Sequence, residues 1–158
     1  MDFMFEGTPA EELAKLLEMM PELKIAPSPL VGVVSVAQVQ GVNGVTIEVL
    51  SLEVREAGAF AFWRALADRN IGFLQPRVSI TDDRGTQYHV VAGNGGGNER
   101  SWAGEIAMTP APPTGATVTI VVDGFGPDER IPMLSRVPPT PVGGPWRFAV
   151  DTRDIRRR

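Results

Sequence analysis

Residues 80–91, which read ITDDRGTQYHVV, decide the fold of this chain. Apolar and polar residues alternate on both sides of a central Asp-Asp-Arg-Gly, and this alternation is typical of two β-strands joined in a hairpin. Further alternating segments follow near Trp102 and Val118. Strands that recur about every dozen residues, with turn signals between them, predict an antiparallel β-sandwich of about seven to nine strands.

The composition excludes several classes of function. A chain of 158 residues with 43% hydrophobic and 22% charged residues suits one folded domain. Its net charge of -4 gives no reason to expect a nucleic-acid partner, which would favour a basic surface. Cysteine is absent, which removes disulfides, thiolate nucleophiles and cysteine-ligated zinc.

The sequence shows neither the pattern of a secretory signal nor that of a membrane span. The acidic start, MDFMFEG, lacks the basic segment and apolar run of a secretory signal. No apolar run approaches the roughly 18 residues of a membrane span. We therefore expect a cytoplasmic protein without a membrane span, although a trimmed form of an exported protein would have the same sequence.

The pattern divides the chain into three parts. Residues 1–29 form a helix and a proline-rich connector, residues 30–150 form the sandwich, and residues 151–158 form a basic tail. Within the run 45–54 the apolar phase changes near Leu50, which indicates a bulge or a crossing between sheets. The strands are expected at 30–40, 45–54, 59–66, 77–81, 86–91, 102–108, 118–122, 130–134 and 146–150.

The N-terminal helix has clear start signals. Thr8 can cap free amides, Pro9 suits the first helical position, and Glu11 completes a capping box. Apolar residues then recur at helical spacing, so we expect an amphipathic helix of about three turns from residue 9 to 20. Its apolar stripe covers either the sandwich or another chain. The stripe consists of Leu13, Leu16, Leu17 and Met20.

The middle of the chain resembles a known family. It contains Asp-Asp-x-Gly-Thr-x-Tyr at 82–88, Trp-x-Gly-Glu at 102–105, a proline-rich turn, and Thr-Val-Thr-Ile at 117–120. In this order the motifs are similar to those of bacterial immunoglobulin-like sandwich domains of unknown function, over residues 45–122. The resemblance implies an immunoglobulin-like fold and no particular activity. Relatives of this general type are often exported.

Two segments imitate ligand-binding loops. Asp82 and Asp83 resemble the start of a calcium loop, but the loop is too short for the six to eight or so oxygens that calcium takes. They fit a turn, in which the carboxylate caps amides and Gly85 takes a positive φ. The glycine run at 93–98 lacks the Gly-Lys-Ser or Gly-Lys-Thr and the helix of a phosphate loop. We interpret it as a mobile surface loop on which a partner could dock.

No residue is predicted to be catalytic, to bind a cofactor or to bind a metal. His89 is the single histidine, and no oriented carboxylate or activated serine accompanies it. One histidine is also too little for a transition-metal site. We interpret it as a residue on the surface of a sheet, and we expect no enzymatic activity.

The aromatic residues raise the question of an interaction surface. Trp63 is out of phase with Phe60 and Phe62, so one side of this strand is exposed, covered by the helix, or covered by another subunit. The sequence favours a non-enzymatic protein-interaction or assembly module whose partner is protein, the chain itself above all. The alternative is a small-ligand or carbohydrate-binding sandwich that uses loop aromatics and the glycine run. The candidate interaction residues are Leu13, Leu16, Leu17, Met20 and Trp63.

Overall fold

A computed structural model describes residues 9–20, 22–72, 74–127 and 141–155. The described part is mainly β and its strands pair antiparallel, which confirms the predicted class. No described helix is long and apolar enough to cross a membrane. The helices are α1 (Ala10–Met19), α2 (Glu22–Ile25) and a 3-10 turn (Thr152–Asp154). The strands are β1 (Leu30–Val42), β2 (Val45–Arg55), β3 (Gly58–Ala67), β4 (Leu74–Asp82), β5 (His89–Gly97), β6 (Ser101–Thr109), β7 (Thr117–Pro127) and β8 (Val142–Asp151).

The strands form two sheets around one core. The first sheet has the order β1-β2-β3-β6-β5 and the second has the order β4-β7-β8. Phe125 lies at an aromatic centre between them, with its ring 6.2 Å from that of Trp63, 6.1 Å from that of Trp102 and 5.4 Å from that of Trp146. All four side chains are buried, so the inward faces of both sheets supply one continuous core.

A bulge explains the change of apolar phase in β2. The pairing with β3 shifts register between Val49 and Ser51. Because the strand gains one residue there, Val49 and Leu52 both reach the core, while Leu50 turns outward and is 36% exposed. The bulge expected near Leu50 is therefore present, and β2 stays within one sheet.

The segment 80–91 forms the predicted turn but not a full hairpin. Asp82 N–H donates to the Thr86 carbonyl at 3.2 Å, and Gly85 has a φ of 83°. One isolated bridge, Thr81 to Gln87, joins the two sides. Beyond it β4 pairs with β7 and β5 pairs with β6, so the chain passes from one sheet to the other. The prediction that residues 86–91 pair with 77–81 as a hairpin was therefore wrong. Alternation indicates where the strands are but does not determine which strands pair with each other.

The glycine run is a strand rather than a mobile loop, which corrects the prediction from sequence. Gly96 pairs with Ala103 and Gly97 pairs with Trp102, both on β6. A Cβ on Gly97 would lie 1.9 Å from the Ser101 carbonyl oxygen, so a glycine is needed where the two backbones approach. The predicted strand at 130–134 lies outside the described residues, as do residues 156–158 of the basic tail.

Side chains close the seam between β1 and β8. Gln38 donates its amide to the Ala149 carbonyl, and Gln40 accepts from the Arg147 amide at 2.7 Å. Deeper in the seam, the Trp146 indole donates to the Val45 carbonyl at 3.0 Å. The first two bonds occupy backbone groups that β8, an edge strand, would otherwise present unpaired.

Candidate functional site

The candidate site is the outer face, defined as the side of the five-stranded sheet that is turned away from the three-stranded sheet. Cross-strand partners share a face of a sheet, so the register identifies its members. On β2 and β3, Glu48 lies opposite Arg64, Ser51 lies opposite Phe62, and Glu53 lies opposite Phe60.

Helix α2 covers one end of the outer face. Ile25 is fully buried and packs on Phe60 and Ala107, which are 5% and 0% exposed. A Cβ on Gly58 would lie 2.4 Å from the Met108 carbonyl oxygen and 2.8 Å from the Ile25 side chain. The glycine thus allows the close approach of α2 to the sheet.

This arrangement accounts for the phase of the aromatic residues in β3. Phe60 and Phe62 belong to the outer face, where Phe60 is covered by α2. Trp63 points inward and is 8% exposed within the core. The sequence left open whether this side is exposed, covered by the helix at 9–20 or covered by another subunit. In the structure a different element, α2, covers the part around Phe60, and Leu66 is exposed.

The uncovered part of the outer face contains an apolar depression of about 530 Å³. Leu50 is 36% exposed beside it, and Trp63 lines it from the core side. Farther from α2, Leu66 is 58% exposed and Val39 is 57% exposed. The residues around the depression are Leu50, Phe62, Trp63, Ala103, Gly104 and Glu105.

Charged residues of both signs border this apolar surface. Arg64 forms an ion pair with Glu48 at 2.8 Å, and Arg55 forms one with Glu53 at 2.6 Å. The first pair and Leu66 line a second depression of about 330 Å³. The outer face therefore combines exposed apolar residues with two ion pairs, one at its border beside α2 and one between Phe62 and Leu66.

The outside of the three-stranded sheet is different in character. On β4, Arg77, Ser79 and Thr81 are exposed, and on β8 Arg147 and Ala149 are exposed. These positions are polar, charged or small, as expected of a surface in contact with water. The two sheets thus share a core but differ in what they present to the outside.

The predicted interaction residues of α1 lie beside α2. Leu13 and Leu16 are half-buried, and Met20 is 40% exposed. The side chain of Leu17 lies outside the described part. Among the helices and strands α1 contacts chiefly α2, which places it next to the covered end of the outer face. The structure thus separates these residues from Trp63, which lies in the core.

A buried clasp stabilises the turn at 82–88. Asp82 accepts hydrogen bonds from the amides of Arg84 and Thr86, both at 2.9 Å, and from the Tyr88 hydroxyl at 2.7 Å. Burial alone would raise the pKa of Asp82, but these hydrogen bonds outweigh it and lower the pKa to about 2. Burial and the adjacent carboxylate raise the pKa of Tyr88. Asp82 therefore caps the turn as its position in the sequence predicted.

The remaining candidates for chemistry are dispersed. His89 is exposed at the start of β5. In the described ranges no three His, Asp or Glu side chains are grouped so that they could hold a metal ion. Trp63, Trp102 and Trp146 are all buried in the core.

Comparisons with family models, with curated proteins and with solved structures found no match to this chain.

Sequence reasoning missed most of the outer face. Leu66 alternates with two alanines in β3 and looks like a core residue, while Leu50 is turned outward by a bulge. Ile25 is the last residue of a single helical turn, which is too short to show the apolar periodicity that would identify it. The clearest signal was the pair of phenylalanines out of phase with Trp63, which identified a strand with both faces apolar.

Proposed function

We propose that this chain is a non-enzymatic protein-interaction module that self-associates through its outer face. The exposure of Leu50, Leu66 and Val39 on one side of one sheet is the observation that carries the proposal. Isolated apolar residues are common on protein surfaces, whereas a patch of them beside an apolar depression is typical of binding sites.

The border of the patch supports the same proposal. Interfaces between proteins commonly have an apolar centre and a polar rim. Here Arg55 with Glu53 lies at the border beside α2, whereas Arg64 with Glu48 lies within the apolar surface, between Phe62 and Leu66. The half-buried Leu13 and Leu16 of α1 add partly exposed apolar surface beside α2, which is consistent with a helix that takes part in assembly.

We also propose that the fold is an immunoglobulin-like sandwich with one added strand. In a constant-type immunoglobulin domain, seven strands A to G form the sheets A-B-E-D and C-F-G. Strands β2 to β8, taken as A to G, have the orders β2-β3-β6-β5 and β4-β7-β8, which match. Strand β1 is then an addition beside strand A, at the edge of the sheet that carries the outer face.

The alternative of a carbohydrate-binding sandwich has less support. Sugar-binding surfaces use exposed aromatic rings, and the three tryptophans are buried around Phe125. The glycine run belongs to β5 and pairs with β6. Both features on which that alternative rested are thus used by the fold itself.

Light scattering over a series of concentrations tests the proposal. We expect the mean mass of the wild-type protein to rise with concentration, and Leu66→Glu to abolish the rise by placing a charge on the apolar surface. Ser79→Glu is the matched control, because it adds the same charge to an exposed position of the other sheet. A wild-type protein that stays monomeric at its highest attainable concentration would refute self-association.

A further inference from the structure

The charges of the outer face are arranged so that the face complements itself. Glu48 and Arg64 are register partners on neighbouring strands. Consider a two-fold axis that is parallel to the strands, runs midway between β2 and β3, and lies in the plane of contact between two copies. Rotation about this axis places Glu48 of the second copy opposite Arg64 of the first, and Arg64 of the second copy opposite Glu48 of the first.

We propose that the outer face binds the same face of a second copy about such an axis, with Arg64 of each copy paired to Glu48 of the other. The inference rests on the self-association proposed above and specifies its geometry. Arg64 has 62% of its side chain exposed, so its guanidinium can turn from the glutamate of its own chain to that of the second copy. A two-fold interface contains this pair twice.

The position of α2 determines which end of the face is in close contact. The axis places both α2 turns at the same end of the dimer, where they hold the two sheets apart. The sheets approach most closely at the other end, where Leu66 faces Thr46 of the second copy. The close contact thus contains Leu66, the ion pairs and part of the apolar depression.

The outer face together with α2 is large enough for this partner. Five strands spaced about 4.8 Å apart, each about ten residues long, span about 24 by 33 Å, or about 800 Å². Stable interfaces of standard size bury about 800 Å² on each partner. Because α2 covers one end of the face, the sheet alone offers less than this area, and the two α2 turns must supply the rest of the contact.

The charge pattern favours a second copy over a strongly charged partner. Nucleic acids and anionic membranes bind surfaces on which positive charge predominates. The outer face instead pairs each of its arginines 55 and 64 with a glutamate on the same face. With Glu105 also on this face, it carries no excess of positive charge that would attract such a partner, while the Arg64 and Glu48 pair is complementary to its own two-fold copy.

Charge reversal in full-length protein tests the pairing. Arg64→Glu places two negative side chains at the pair and Glu48→Arg places two positive ones. We expect each variant to self-associate at least about tenfold more weakly than wild type, because like charges then face each other across the axis. An equimolar mixture of the two should recover association as a heterodimer. The double variant Glu48→Arg with Arg64→Glu should recover homodimers, since it restores both the pair within the chain and the pair across the axis.

The outcomes separate this inference from the proposed function. Sedimentation velocity measures association, and thermal melts establish that each variant is folded. A wild-type protein that dimerises while the mixture recovers nothing would overturn the two-fold pairing and leave self-association in place. A monomeric wild type would overturn both. A dimer that is lost with Arg64→Glu, restored in the mixture and weakened by salt would support the pairing.

Discussion

Ile25→Ala is the change that best tests how α2 limits the outer face. The wild-type side chain is fully buried on Phe60 and Ala107. The substitution removes three carbon groups, and at about 0.8 kcal/mol for each buried group the loss of burial is about 2.4 kcal/mol. Because the site lies at the surface of the sheet, α2 can settle into part of the cavity, so we expect a total near the lower end of the 2–5 kcal/mol or so found for such truncations.

Urea unfolding followed by tryptophan fluorescence measures this loss. In a domain of this size, about 1 kcal/mol corresponds to about 2–4 °C in melting temperature, so a melt should shift downward by about 5–10 °C. Arg147→Ala is the control, because Arg147 is exposed on the outside of the other sheet and its truncation should change stability little. A loss below about 1 kcal/mol for Ile25→Ala would refute the docking of α2 on the sheet.

Three further changes test the rest of the fold. Tyr88→Phe should destabilise the protein more at pH 6 than at pH 2 in urea unfolding. The Tyr88 hydroxyl helps to lower the pKa of Asp82 from 3.8 to about 2, so the stabilisation it gives is fully present above pH 3.8 and is lost as the pH falls toward 2. Equal losses at both pH values would contradict this. Gly97→Ala should cost about 1–3 kcal/mol and Gly96→Ala much less, since a Cβ meets the Ser101 carbonyl at the first site and open space at the second. Trp146→Phe should lower the free energy of unfolding by about 1–3 kcal/mol more than Trp102→Phe does in the same assay. The Trp146 indole N–H donates to the buried Val45 carbonyl, whereas the Trp102 indole N–H has no partner in the described structure. Equal losses would show that this hydrogen bond contributes nothing net.

The sequence was sufficient for local structure and insufficient for pairing. Alternation and turn residues predicted the strands and the Asp82 cap because both depend on neighbours within a few residues. The partner of β4 lies about forty residues away on β7, and only the whole fold selects it. The glycine run failed for the same reason: Gly97 is required by the approach of β6, a contact that composition cannot reveal.

The candidate site was the part of the structure that the sequence predicted least well, because a pattern of apolar residues does not indicate which element of the fold covers them. A sheet in a two-layer fold needs only one apolar face, and the three-stranded sheet follows this rule. The five-stranded sheet has two apolar faces, one covered by the opposite sheet and one covered at a single end by Ile25. Since exposed apolar area is unfavourable in water, the uncovered end around Leu66 is where a third layer would stabilise the protein most. In the proposed two-fold dimer the second copy would supply that layer, and the dimer would then account for the apolar residues on both faces of β3.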